Sequence, residues 1–510
     1  MVFASVLTRA SLGINAPQVT VEVHASNGLP ALAIVGLPEA SVKESKERVR
    51  SAILNSGFQL PPKRITVNLA PADLPKSGGR YDVAIALGIL IATEQLQVDA
   101  SGYEFFGELG LNGEIRSVPG ILPAVLHCKE AGKTAVVPFA NLEEASLVKP
   151  QIELEASVAV GATTLLELCG YLLGRNPLTA PEGHSDFVED YTFDLADVVG
   201  QTQAKRVLEL SATGGHSVLM VGPPGSGKSM LASRLVTLLP ELKQEQAIEL
   251  ASIQSVSGQE VDVRGRFQRK MISPHHTASS ASMVGGGTIP KPGAISLAHH
   301  GVLFLDELPE FSRGVLEALR EPLENHHVEI SRVNHHIRYP SKFLLVAAMN
   351  PTPSGYFPDD PYGRCKDTPE QILRYQKKIS GPLLDRIDLH IEIPPVDIDS
   401  LQHKRDQGSE DSRTIRGRVT RLHALQYERQ GCLNGDLTPV QIQQLITIDD
   451  SGNRLLKNAV ERMGISARSY HRILRVARSL ADMAGSEQVE SVHLAEALAY
   501  RSFDRNLGSF

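Results

Sequence analysis

Residues 222–229 read Gly222-Pro223-Pro224-Gly225-Ser226-Gly227-Lys228-Ser229 and follow directly on the apolar run Ser217-Val-Leu-Met-Val221. A strand that ends in a loop of spaced glycines and then opens a helix with Lys-Ser constrains the fold more than any other stretch of the chain. The glycines let backbone N–H groups turn inward on a polyanion, Lys228 reaches β- and γ-phosphate oxygens, and the Ser229 hydroxyl can ligate Mg²⁺. Further strand-like runs at 302–305 and 343–349 alternate with helical segments, as a parallel sheet with crossover helices requires. The expected fold class is α/β, with a phosphate loop at the end of a central strand.

The 510 residues are enough for about three domains. Up to about residue 172, strand-like runs at 19–24 and 64–69 alternate with helical patterns at 41–55 and 82–93, which reads as one α/β domain over residues 1–173. Residues 174–190 lose all periodicity and carry two prolines and two glycines, the composition of a linker. The phosphate-loop domain then spans 191–398. From 399 to 510 only helical patterns remain, at 413–429, 439–446, 455–463, 467–484 and 489–500, a bundle of short helices.

Whole-chain charge, 51 Lys+Arg against 58 Asp+Glu for a net −7, gives no footprint of nucleic-acid binding. Cys128, Cys169, Cys365 and Cys432 are too scattered for a disulfide framework, and no C-x-x-C pair offers a zinc site. The N-terminus lacks a signal-type pattern, and no apolar run reaches the roughly 18–20 residues that span a bilayer. A cytoplasmic protein with no membrane partner is expected.

Gly301-Val-Leu-Phe-Leu-Asp306-Glu307 is a buried-strand pattern ending in two acids. Behind a phosphate loop, Asp306 falls beside Ser229 to order Mg²⁺, and Glu307 can polarise an attacking water. Alone, the pair would read equally well as a cap for the next helix. Together with Ala347-Ala-Met-Asn350-Pro and Leu383-Leu-Asp-Arg386-Ile-Asp388-Leu-His, these motifs resemble the AAA+ module of magnesium-chelatase-like ATPases, specifically the ComM/YifB group. Ser273-Pro-His-His-Thr277, Pro292-Gly-Ala-Ile-Ser-Leu-Ala-His299 and Leu319-Arg-Glu-Pro-Leu-Glu324 carry the same resemblance, which covers nearly the whole chain.

The resemblance implies ATP and Mg²⁺ as cofactors and a catalytic set of Lys228, Glu307, Asn350, Arg386 and Arg468. Asn350 matches a sensor amide that hydrogen-bonds the γ-phosphate or the water. Arg386 matches an arginine finger acting on a neighbouring subunit, against the alternative of an ion pair with Asp385 or Asp388. Arg468 matches a second sensor; Arg472, Arg475 and Arg478 on the same helix face read as a solvated basic face. An arginine supplied by a neighbour implies a ring, hexameric by resemblance to AAA+ relatives. Many relatives carry zinc-binding cysteines after Asn350, whereas this chain has Pro351-Thr-Pro-Ser-Gly355 and keeps only Cys365, so no zinc is expected.

Two segments resemble insertions of this clade, 256–295 and 328–340, the second a hairpin with Asn334-His335-His336 at its turn. Residues 263–305 contain no acid but Arg264, Arg266, Arg269, Lys270 and Lys291; residues 330–358 contain no acid but Arg332, Arg338 and Lys342. Repeated around a ring, such segments would line a pore with cations that track a nucleic-acid backbone without reading sequence. Lys291, Arg332, His335 and Arg338 are the candidate DNA contacts, with solvated surface as the alternative. The paired histidines 275–276 and 299–300 read as structural rather than metal-binding. The expected function is an ATP-driven ring motor translocating on single-stranded or branched DNA, a helicase or branch-migration enzyme that by resemblance promotes integration of incoming DNA in natural transformation. The alternative is a chelatase-type or chaperone-like motor that remodels a protein partner.

Residues 107–120 and Leu74-Pro-Lys-Ser-Gly-Gly-Arg-Tyr-Asp-Val83 resemble the Lon-protease-like fold. A Lon-type protease needs a serine nucleophile and a lysine base. Here the first position reads Gly79-Arg-Tyr-Asp82 and the second Pro123-Ala124, while Lys76 and Ser77, adjacent on an extended segment, point apart. The N-terminal domain is expected to be catalytically inactive.

Overall fold

A computed structural model describes residues 3–36, 40–148, 157–182, 191–287, 290–332, 335–395, 410–463 and 465–501. At the N-terminus, β1 (Phe3–Arg9), β2 (Gln18–Ser26), β3 (Ala31–Val35) and β4 (Arg64–Ala70) form a sheet in the order β1-β2-β4-β3. β2 and β4 bury alternate residues, so one face is apolar. Against β1 and β2 lies the helix Asp82–Ala92, which is apolar on all sides and buried along nearly its whole length. β5 (Tyr103–Phe105), β8 (Thr134–Pro138) and β9 (Ala159–Ala162) make a second, parallel sheet, with β6 (Glu108–Leu109) and β7 (Ile115–Arg116) pairing as a short ribbon.

The central sheet contains β10 (Val218–Val221), β11 (Met271–Ile272), β14 (Val302–Leu305), β17 (Leu344–Met349) and β18 (Leu389–Glu392) in the order β11-β14-β17-β10-β18, with every neighbour parallel. β10 and β14 are buried on both faces, which is why they read as unbroken apolar runs. The segment 256–295 is therefore only partly an insertion, because it supplies the edge strand β11. Its remainder carries the small ribbon β12 (Gly285–Gly286) with β13 (Lys291–Pro292).

The second basic segment is a hairpin of β15 (His327–Arg332) and β16 (His335–Pro340). His335 and His336 belong to β16 rather than to a turn; residues 333–334 and the side chains of Arg332 and His335 lie outside the description. The two basic segments touch. A Cβ on Gly285 would fall 2.8 Å from Ile330, and the Tyr339 hydroxyl donates to the Pro290 carbonyl at 2.9 Å. The N-terminal region braces both. The Gly120 N–H donates to the Ser255 carbonyl at 2.9 Å, where a Cβ on Gly120 would also lie 3.7 Å from Val256 of the first segment, and Gly13, at φ +62°, approaches Ile337 of the second so closely that a Cβ would sit 2.7 Å from it.

The C-terminal helices Ser412–Gln430, Pro439–Leu445, Asp450–Met463, Ala467–Ala484 and Ser491–Ala499 share one hydrophobic core with the central sheet, Val218 and Leu389 packing with Ile473 and Leu480. Lys342, beside the central sheet, donates to Asp436 at 2.6 Å, and His326 lies 3.5 Å from the same carboxylate. Burial alone would raise the Asp436 carboxyl, but the His326 hydrogen bond and the Lys342 charge outweigh it and pull it down to about 2. A folded value below that of free aspartate means the joint is stabilised at pH above about 4 and loses that stabilisation as pH falls toward 2. Asp436→Asn should flatten the drop in thermal midpoint across that window, as followed by scanning fluorimetry. Among the described residues no helix is long and apolar enough to cross a membrane.

Candidate functional site

The loop after β10 closes tightly on itself. A Cβ on Gly222 would meet the Ile393 carbonyl at 2.4 Å, and Gly227 holds φ +87° immediately before the helix Lys228–Leu238. The buried Lys228 ammonium donates to the carbonyls of Gly222 (2.7 Å) and Pro223 (2.9 Å) and to Asn350 Oδ1 (3.3 Å). Burial lowers the Lys228 pKa, and Asp306 and Glu307 partly offset the shift. Ser229 Oγ donates to Asp306 Oδ2 at 2.8 Å. The ends of β10, β14 and β17 thus bring Lys228, Ser229, Asp306 and Asn350 to one place. Glu307 follows in the left-handed region, φ 51° and ψ 48°, an uncommon conformation for a non-glycine residue.

Three groups at this site escape sequence reasoning. Gln201, also left-handed, donates from Nε2 to the Ser226 carbonyl at 2.8 Å and braces the loop from 25 residues upstream. Gly355 packs against the Pro224 ring, so the segment after Asn350 covers the loop. His276 Nδ1 lies 3.1 Å from Glu307 Oε2. None of these shows as periodicity or spacing; only the Ser273–Thr277 motif marked His276 at all.

Arg386 and Arg468 are elsewhere. Both line a cavity of about 1290 Å³ bounded by Ser217, Gly301 and Leu344, at the strands' N-terminal ends. The phosphate loop leaves the opposite end of β10, about 13 Å away for a four-residue strand. Arg386 pairs with Glu324 at 2.6 Å and donates to the Pro382 carbonyl at 2.6 Å. It is not paired with Asp385, which accepts from Ser469, nor with Asp388, which holds Arg472 at 2.6 Å. The expected solvated face of Arg472, Arg475 and Arg478 is absent. Arg478 is 2% exposed and bonded to Asp482, Arg472 is engaged with Asp388, and Arg475 faces the cavity with a buried Nε lacking a partner.

The basic segments also prove partly internal. Arg269 donates to the carbonyls of Pro240 (2.6 Å) and His300, Lys270 pairs with Asp262, and Lys342 with Asp436. Lys291 and Arg338 remain exposed, Arg338 reaching His327 Nδ1 at 2.7 Å. Glu249 joins His299 (3.1 Å) and His300 (2.9 Å), the one cluster of metal-ligand type among the described residues. His299 Nδ1 accepts the Lys342 N–H at 2.9 Å, so its Nε2 carries the hydrogen and donates to Glu249. That is a hydrogen-bonded clamp rather than a metal centre, and the two imidazoles hold the Glu249 carboxyl well below its usual range.

In the N-terminal domain Lys76 is fully buried and donates to the carbonyls of Gly36 (3.2 Å), Leu74 (3.1 Å) and Pro71. Arg80 is buried as well, its Nη2 3.4 Å from the Gly120 carbonyl, and burial lowers its pKa. Both cations serve the packing of this domain.

The family described as "Magnesium chelatase, subunit ChlI" matches residues 194–401, with "Subunit ChlI of Mg-chelatase" at 21–141 and "Magnesium chelatase, subunit ChlI C-terminal" at 409–501. The chain is 47% identical to the competence protein ComM of Haemophilus influenzae, over 99% of each protein. It is 46% identical to the uncharacterized protein YifB of Escherichia coli, over 99% of this chain and 98% of that one. The magnesium-chelatase subunit ChlI of Chlorella vulgaris is 28% identical over 40% of this chain and 58% of its own length. With a parallel phosphate-loop sheet, a helical C-terminal region and this likeness along its full length, the chain belongs to the magnesium-chelatase-like AAA+ ATPases of the ComM/YifB family.

Proposed function

We propose that this protein is an ATP-driven hexameric ring motor that translocates on DNA as a helicase or branch-migration enzyme, and that it promotes integration of incoming DNA in natural transformation. The last part rests on the relative named a competence protein. The observation that carries the motor reading is the separation of Arg386 from Lys228 and Ser229. An arginine at the opposite end of the sheet from its own phosphate loop can complete only a neighbour's site. The units are residues 1–173, 174–190, 191–398 and 399–510, the first a Lon-like scaffold without protease activity.

The residues present suit a magnesium nucleotide. A hydroxyl and a carboxylate 2.8 Å apart match the one or two protein oxygens Mg²⁺ takes when phosphates supply others, and Ser226 Oγ is buried without a partner. Bound there, Mg²⁺ would neutralise charge on the phosphoryl oxygens. Backbone N–H groups of 225–229 and the Lys228 ammonium hold the β- and γ-phosphates, and Asn350 orients the γ-phosphate or the water. Glu307 takes the proton as water attacks the γ-phosphorus and the bond to the β-phosphate oxygen breaks. Arg386 and Arg468 of a neighbouring subunit stabilise the charge on the transferring group.

Lys291 and Arg338 stand on adjoining hairpins and, with Arg332 and His335, form the proposed DNA contact. Lys291→Ala combined with Arg338→Ala should weaken single-stranded DNA binding at low salt and lower the salt dependence by about 0.7 per lost phosphate contact, without changing ATP binding. Fluorescence anisotropy across a salt series measures both. Unchanged affinity and slope would remove the hairpins from the DNA path. The wider test is ATP turnover with and without single-stranded, duplex and forked DNA; turnover indifferent to DNA but raised by a protein partner would favour the remodelling alternative.

A further inference from the structure

We infer that the cavity at the N-terminal ends of the central strands holds a second anion site, distinct from the phosphate loop, whose ligand is a chain of linked phosphates. The cavity of about 1290 Å³ is larger than the roughly 300–1,000 Å³ of an ordinary small-molecule cleft. The described residues that line it include nine Lys and Arg against four Asp and Glu. Three of those acids are already taken, Glu324 by Arg386, Asp388 by Arg472 and Asp436 by Lys342. That leaves Glu241 alone against six cations.

Arg269 and Arg475 carry the inference. Arg269, two residues before β11, donates to the carbonyls of Pro240 (2.6 Å) and His300 and pairs with no carboxylate among the described residues. Burial pushes its pKa down to about 10, and only Tyr427 and Tyr191 offset the shift. It therefore stays charged at neutral pH, a guanidinium set deep in the protein among neutral acceptors. Arg475 comes from the helix Ala467–Ala484, and its buried Nε has no partner. Burial lowers its pKa, the charges of Asp388 and Asp436 offset part of that, and Arg472 adds to it. Both arginines lack what an anion supplies.

Lys243 belongs to the same wall as Arg269. The Leu242 N–H donates to the Phe267 carbonyl at 2.8 Å, and Lys243 Nζ lies 4.9 Å from the centre of the Tyr427 ring. Asp436, whose charge Arg475 feels, is the partner of Lys342 just before β17, two strand steps or about 10 Å from β11. A single phosphate does not bridge that distance, and several linked phosphates do. Arg386 precedes β18, four strand steps or about 19 Å from β11, so the site does not draw on it. An anion held by Arg269 and Arg475 together ties the central sheet to the C-terminal helices.

The test uses the full-length Lys228→Ala protein, whose phosphate loop has lost its cation. It is titrated with inorganic tripolyphosphate and, in a second arm, with ATP, by calorimetry and by thermal midpoint. One tripolyphosphate per chain is expected, with a raised midpoint and an affinity that falls as salt rises. Adding Arg475→Gln should weaken binding roughly tenfold, and Lys243→Gln, at an exposed position the fold does not depend on, severalfold. Adding Arg386→Ala should leave the affinity for tripolyphosphate as it was. Tighter binding of ATP names a nucleotide as the source of the phosphates; equal or tighter binding of tripolyphosphate names an inorganic chain. Failure of both anions to bind Lys228→Ala overturns the inference, as does binding that neither Arg475→Gln nor Lys243→Gln weakens. Loss of binding with Arg386→Ala overturns it as well, because the anion then sits at the arginine that serves the neighbour.

Discussion

Replacing Glu307 by glutamine lowers ATP turnover by about 10²–10⁴-fold while leaving nucleotide binding intact. The amide preserves the shape of the side chain and its reach to His276, but it cannot take a proton from water. Lys228→Ala behaves differently. The ammonium meets two loop carbonyls and Asn350 at one point, so its loss removes the cation that the phosphates bind and weakens affinity together with turnover. Equilibrium binding of a fluorescent ATP analogue beside steady-state hydrolysis separates the two variants. A Glu307→Gln protein that turns over normally would show that another group activates the water.

Arg386→Ala should cost about 10³-fold or more in turnover, the scale on which an arginine finger acts, with ATP affinity of the isolated chain unchanged. Its guanidinium lies at the other end of the sheet from its own phosphate loop and is paired with Glu324. Reaching a neighbour's γ-phosphate therefore requires a second chain and release of that ion pair. Mixing gives the sharper test. Arg386→Ala chains keep an intact phosphate loop, and Lys228→Ala chains keep an intact arginine, so a mixed ring contains complete sites that neither variant forms alone. Turnover recovered on mixing is the expected result. Two variants that stay inert together, though each still assembles, would mean that Arg386 acts within its own chain or only in packing.

How far these residues could be read from sequence depends on how local their signals are. The phosphate loop and the Asp306 strand are local patterns, set by glycine geometry and by burial on both sheet faces, and both stand where the sequence puts them. The helix at 455–463 begins earlier, at Asp450, because Asp449 accepts the Gly452 N–H at 2.7 Å and caps a turn that Asp and Gly would otherwise break. β11 is two residues long, too short for any period, and hides in what reads as an insertion. Partners of charged groups are not legible at all. Glu324 for Arg386, Glu249 for His299 and His300, and Asp482 for Arg478 are fixed by packing between elements. A count of basic residues therefore overstates how much charge faces outward. Of the eight Lys and Arg counted in the two acid-free segments, Arg266 and Arg269 donate to backbone carbonyls, Lys270 and Lys342 pair with Asp262 and Asp436, and Arg338 reaches His327.

The central claim is that ATP hydrolysis by this chain moves DNA. The most direct measurement is displacement of a labelled strand from forked and four-way DNA by purified protein, with Glu307→Gln as the control that binds ATP without turning it over. The account predicts ATP-dependent displacement by the wild-type chain, none by Glu307→Gln, and a reduced rate when Lys291 and Arg338 are both alanine. A protein that hydrolyses ATP at full rate yet neither binds these substrates at low salt nor displaces a strand would contradict it.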